Sequence, residues 1–144
     1  MTIPRPTTPI LAFSLAGALL QGCASLSAPS GPPARLFAAD MNGGARTCDV
    51  SPPAVNAANV AEITMKVGSD GGWCGIRVNK GGRPYDTFLL TARAEHGKPF
   101  VHTVGNDTRI DYTPEFGFVG TDSFSVRLLP GDTAIRVFVT QVAH

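Results

Sequence analysis

The sequence predicts an all-β domain, a single antiparallel sandwich of about seven strands. Apolar and polar residues alternate with period two from residue 60 to the end of the chain. The 144 residues include 16 Gly and 12 Pro, a density of turn formers that a helical bundle does not accommodate. No amphipathic helical run separates the alternating segments, which excludes strand–helix–strand units. The length suits one domain rather than two. A hydrophobic share of 43% against 16% charged residues excludes a disordered chain. Twelve Lys and Arg against 11 Asp and Glu leave a net charge of +1, so no broad basic field exists to hold nucleic acid.

Residues 1–22 read as an export signal rather than as part of the domain. Arg5 supplies a positive start, and residues 10–20 form an uncharged run rich in Leu and Ala. A membrane-spanning helix needs about 20 apolar residues, so this run is too short to span but suits the core of a signal peptide. It ends in Leu20-Gln21-Gly22-Cys23, which resembles the lipobox of bacterial lipoproteins. That resemblance implies cleavage before Cys23 and lipidation of its sulfur and amine, an anchor that holds the chain to a membrane. Ala24, where an Asp would resemble an inner-membrane retention signal, implies an outer-membrane lipoprotein facing the periplasm or the cell surface. A plain signal peptide cleaved near Ala24 is the alternative. Residues 23–34 are small, polar or Pro, a composition suited to a flexible tether, which leaves residues 35–144 for the domain.

With Cys23 assigned to the anchor, Cys48 and Cys74 remain, and in an oxidising compartment they are expected to form one disulfide. Residues 35–59 carry no clear period, and a helical turn over residues 56–62 is the most they suggest. Ala61, Ile63, Met65 and Val67 then alternate with Glu62, Thr64 and Lys66, up to a turn at Ser69-Asp70-Gly71-Gly72. Cys74, Ile76 and Val78 share the face opposite Arg77 and Asn79, which aims the Cys74 sulfur inward. After a loop at residues 79–84, Phe88, Leu90, Ala92 and Ala94 alternate with Thr87, Thr91 and Arg93 until His96-Gly97 breaks the strand. Residues 98–104 and 108–113 form a hairpin around Gly105-Asn106-Asp107. Phe124, Val126 and Leu128 alternate with Ser123, Ser125 and Arg127. Pro130-Gly131-Asp132 turns the chain into a last strand with Ile135, Val137 and Val139 on one face.

The loop between the last two hairpins has its own chemistry. Pro114 lacks an amide donor and ends a strand. Gly117 and Gly120 permit backbone angles that a side chain forbids. The Asp122 carboxylate is placed to accept backbone amides across the loop, with Phe118 and Phe124 buried behind it. Tyr112-Thr113-Pro114, Gly117-Phe118 and Gly120-Thr121-Asp122-Ser123-Phe124, following the His96-Gly97 bend, resemble the C-terminal signature of bacterial Ig-like, cadherin-like repeats. The likeness spans about residues 95–142 and implies an Ig-like sandwich. It does not specify a function, because that fold serves adhesion, scaffolding and carbohydrate-associated roles alike. A single copy behind a lipidation signal departs from the tandem arrays of that family.

No nucleophile elbow, zinc-protease helix, phosphate loop or Cys-x-x-Cys motif occurs. His96 at the bend and His102, in phase with Phe100 and Val104, read as structural residues. Their spacing does not place two imidazoles on one face. Asp107 with Asp111, and Glu115 with Asp122, are acidic pairs that loops could bring together. A sandwich of this size leaves little room for a two-carboxylate cleft. In cadherin-type arrays calcium sits between repeats, and here there is one repeat. The expectation is therefore a non-enzymatic, cofactor-free, metal-free binding or scaffolding module that recognises an envelope protein or cell-wall component. Its variable loops at residues 68–73 and 79–86 offer Trp73, Arg83 and Tyr85 as contact residues, because aromatic anchors dominate binding hot spots. The rival readings are a small lipoprotein inhibitor of an envelope hydrolase such as a lysozyme or protease, presenting Lys80, Arg83 or Tyr85, and, more remotely, a metal-dependent enzyme.

Overall fold

A computed structural model describes residues 36–144, residues 57 and 59 excepted. The lipobox, Cys23 and the tether lie outside the described residues. One short helix, α1 (Ala38–Met41), precedes nine strands: β1 (Cys48–Val50), β2 (Ala54–Val55), β3 (Val60–Gly68), β4 (Cys74–Val78), β5 (Thr87–Ala92), β6 (Gly97–Val104), β7 (Asp107–Pro114), β8 (Gly120–Leu129) and β9 (Thr133–Val142). They form two sheets packed face to face. The larger runs β1-β3-β9-β8-β5, with β2 also on the outer edge of β3, and the smaller runs β4-β7-β6.

The alternation decides which side chains meet between the sheets. Ile63, Met65 and Val67 of β3, Phe124, Val126 and Leu128 of β8, and Ile135, Val137 and Val139 of β9 line the inner face of the large sheet. Cys74, Ile76, Val101, Ile110 and Tyr112 face them from the small sheet, and all are buried. Each period-two segment thus supplies one apolar face, as a sheet solvated on its other side requires.

Three features depart from the sequence expectation. Among the described residues there are nine strands rather than about seven, because β1 and β2, of three and two residues, pair antiparallel with successive stretches of β3. Such short edge segments are too brief to show a period. The sandwich is also not wholly antiparallel. β9 lies parallel to β3, with Ile63 opposite Val137, and a side-chain pattern carries no information on strand direction. Where the sequence suggests a helical turn at 56–62, the residues from Val60 on belong to β3, and Asn56 Oδ1 accepts the amides of Ala58 and Val60, each at 3.0 Å.

The expected disulfide is present. Cys48 pairs in register with Val67, so its side chain faces inward at the edge of the large sheet and meets the buried Cys74 of β4. The bond clasps the two sheets together along one side. On the opposite side β5 is exposed along its whole length, and a groove separates it from β6 of the three-stranded sheet.

Candidate functional site

The corner between β7 and β8 is built around Asp122. Its Oδ1 accepts the amides of Glu95 at 3.0 Å and Ser123 at 2.8 Å. Its Oδ2 accepts the amide of His96 at 2.9 Å and the Tyr112 hydroxyl at 2.7 Å. Burial pushes the Asp122 carboxyl up, but these four donors outweigh it and hold the group below the usual carboxylate range. Burial and the adjacent Asp122 charge push the Tyr112 phenol far above its ordinary value, so it stays neutral and donates. Gln141 Nε2 closes the network by donating to Tyr112 Oη at 2.7 Å and to the carbonyl of His96 at 2.9 Å. The tight packing explains two glycines. A Cβ at Gly97 would sit 2.2 Å from the Tyr112 ring, and one at Gly120 would sit 2.8 Å from that of Phe118. Gly117 alone of the corner glycines has positive φ, at +77°. Pro114 ends β7 and Phe124 is wholly buried, whereas Phe118 is only half-buried, stacked on His96 with ring centroids 3.8 Å apart. The His96 imidazole also meets Glu115 at 3.1 Å. These polar groups hold the loop, and the buried Gln141 Oε1 is the one left without a hydrogen-bond partner.

A second polar cluster lies on the outer face of the small sheet, where the alternation predicts solvent. Arg109 and Asp111 of β7 point outward yet are buried, because residues 37–45 lie over them as a strap. Asp111 Oδ2 accepts from Arg109 Nε at 3.0 Å and Nη2 at 2.8 Å, and lies 2.9 Å from His102 Nε2. Arg109 Nε also approaches Asp111 Oδ1 to 2.8 Å, off the direction of a hydrogen bond, so that oxygen is held by charge alone. On the strap side, Arg109 Nη1 donates to the Asp40 carbonyl, and the Asp40 carboxylate stands 3.9 Å from His102 Nδ1. Gly75 makes the space, since a Cβ there would come within 2.6 Å of Asp111 Oδ1.

Histidine oriented by a carboxylate is also the geometry of a general base. Here, however, the second imidazole nitrogen faces Asp40, the strap covers the pair, and no hydroxyl or thiol bonds to His102 among the described residues. The cluster fastens the strap to the sheet.

The three contact residues expected from the sequence are not brought together. Trp73 and the 79–86 loop flank opposite ends of β4. Trp73 is half-buried and clamps the strap: its indole donates to the Asn42 carbonyl at 2.8 Å, its ring lies 4.0 Å beneath the Arg109 guanidinium, and its amide bonds to Gly43. Tyr85 packs against the core, with its amide on Thr108 Oγ1 at 2.8 Å and its hydroxyl 3.3 Å from Thr133 Oγ1. Arg83 alone is exposed, on a turn closed by reciprocal backbone bonds with Lys80.

The surface that stands out instead is β5. All six of its residues are exposed. Phe88 and Leu90 pair with the buried Leu128 and Val126 of β8, so their side chains face the interior side of the sheet, yet each remains 41% exposed. Leu89, on the outer face opposite Arg127, is 53% exposed. A groove of about 130 Å³ runs between this overhang and β6, lined by Tyr85, Thr87, Phe88, Val101 and Thr103 among others. The alternation correctly turned Phe88 and Leu90 inward. It could not show that the facing sheet ends before covering them.

The domain's other edges are guarded. β1 and β2 are short, β4 is tied by the disulfide and flanked by the strap, and β6 carries Lys98 and Pro99. Charged residues, proline and brevity are the usual means of blocking strand addition. β5 has none of them along its length, only a register irregularity between Leu90 and Ala92 at its far end. No family model matches the chain, and no curated protein matches it.

Proposed function

We propose that the chain is an envelope-anchored lipoprotein whose domain is an Ig-like, non-catalytic binding or scaffolding module, and that it receives an extended segment of a protein partner along β5. The lipobox-like Leu20-Gln21-Gly22-Cys23 supports the anchor, and a disulfide suits an oxidising envelope compartment. The corner at residues 112–124 supports the Ig-like assignment through the motif it shares with those repeats. The observation that carries the binding role is the open, uncharged β5 edge. Unpaired amides and carbonyls there give main-chain affinity, and Phe88, Leu89 and Leu90 give apolar contacts on both faces.

Leu89→Lys tests the reading, because it places a charge on the edge without touching the core. The variant is expected to lose partner capture in membranes while its thermal midpoint stays within a few degrees of wild type. Undiminished capture would refute it. A second reading, a small inhibitor of an envelope hydrolase, draws on the 79–83 turn. There Gly81 and Gly82 have positive φ, a Cβ at either would meet nothing within 4 Å, and Arg83 is exposed. Arg83→Ala would then abolish inhibition of the target hydrolase, and Leu89→Lys would not.

A further inference from the structure

Resting on the edge-binding reading above, we infer that the occupant of β5 is a second copy of this chain, paired β5 to β5 in antiparallel sense about a two-fold axis near Leu89. An axis perpendicular to the sheet is the one that joins two identical edges antiparallel, and it keeps both interior faces on the same side. Phe88 of one copy then stands opposite Leu90 of the other, an apolar cross-strand pair repeated by symmetry. Those are the two side chains that the small sheet leaves uncovered.

Charge selects the same arrangement. The strand itself is uncharged, and it is preceded by Asp86 and followed by Arg93. Neither belongs to an ion pair among the described residues. Antiparallel pairing carries Asp86 of each copy to the Arg93 end of the other, so opposite charges meet at both ends. Parallel addition would align like with like. The gap between β6 and the edge leaves room for the paired apolar side chains on the interior side.

Three variants of the full chain, purified in mild detergent, test this. Leu89→Cys places two thiols opposite each other across the axis, where directly opposed strand residues have Cα atoms about 4.5–5.5 Å apart, within disulfide reach. Cys48 and Cys74 are occupied by each other, and Cys23 is present alike in this variant and its control. Mild oxidation is expected to give a covalent dimer linked through residue 89. Arg77→Cys, exposed on β4, serves as the control and is expected to give none. Sedimentation is expected to show a concentration-dependent dimer. Asp86→Arg alone should weaken that dimer by roughly threefold or more, and adding Arg93→Asp should restore it. A monomer at every concentration, or a Leu89→Cys variant that links no more than the control, overturns the inference. If the purified chain is monomeric while Leu89→Cys in membranes links to a different protein, self-pairing fails and the edge-binding reading stands. If neither adduct forms, both fall.

Discussion

Asp122→Ala is the perturbation whose cost the structure defines most closely. Four hydrogen bonds end on this carboxylate. The amides of Glu95 and Ser123 lie in exposed surroundings, where water replaces the lost acceptor at little cost. The His96 amide and the Tyr112 hydroxyl are screened from solvent, and each loses a bond to a charged acceptor. At roughly 1–2 kcal/mol apiece, the expected loss is about 2–4 kcal/mol. For a domain of this size that lowers the thermal midpoint by roughly 10–20 °C. Urea and thermal unfolding followed by circular dichroism read the change directly. The loss should also depend on pH. The folded carboxyl titrates below its unfolded value, so its contribution is present above about pH 5 and disappears as the pH falls through the carboxylate range. Wild type and variant should therefore converge in acid. An unchanged urea midpoint at neutral pH, or a difference that persists undiminished in acid, would refute the role given to Asp122.

Three further outcomes are expected. Replacing Cys48 and Cys74 together by Ala should cost roughly 3–4 kcal/mol in the chain-entropy account of a loop this long, measured as a lower urea midpoint without loss of the strand spectrum. Asp111→Ala leaves the Arg109 charge buried without its partner and should cost about 3–5 kcal/mol, with a change in the fluorescence of the single tryptophan, Trp73, as the strap loosens. In a Tyr85→Phe background, the Tyr112 tyrosinate absorbance should appear at alkaline pH only as the fold is lost. The folded phenol is held well above its ordinary value, so stability falls as the pH rises past about 10.

The parts of the fold that were legible in the sequence are those governed by local rules. Alternation placed Ile63, Met65 and Val67 inside, and it placed Phe124, Val126 and Leu128 beside Ile135, Val137 and Val139. The loop chemistry of Pro114, Gly117 and Asp122 marked the corner, although Gly120 is required for its contact with Phe118 rather than for a positive φ. What escaped is set by distant partners. Arg109 and Asp111 sit on the polar phase of β7, and nothing local reveals that Asp40 and Trp73 come to cover them. The signal available was an outward Gly75 beside the chain's only tryptophan. Trp73 and Tyr85 are aromatic residues in loops and so resemble contact anchors, but the strap and Thr133 engage them. The exposure of β5 depends on the mismatch between a five-strand path and a three-stranded sheet. That mismatch follows from topology, including the parallel β3–β9 pair, and not from any stretch of residues.

The central claim is that recognition runs along β5. Amide hydrogen exchange on the full chain tests it most directly, comparing the protein in extracts of its host cell with the purified protein at high dilution. The account predicts that residues 87–90 gain protection in the extract and lose that gain in Leu89→Lys, while the strap and the corner exchange alike in both states. Protection gained at residues 79–86 instead, or no gain along β5, would contradict it.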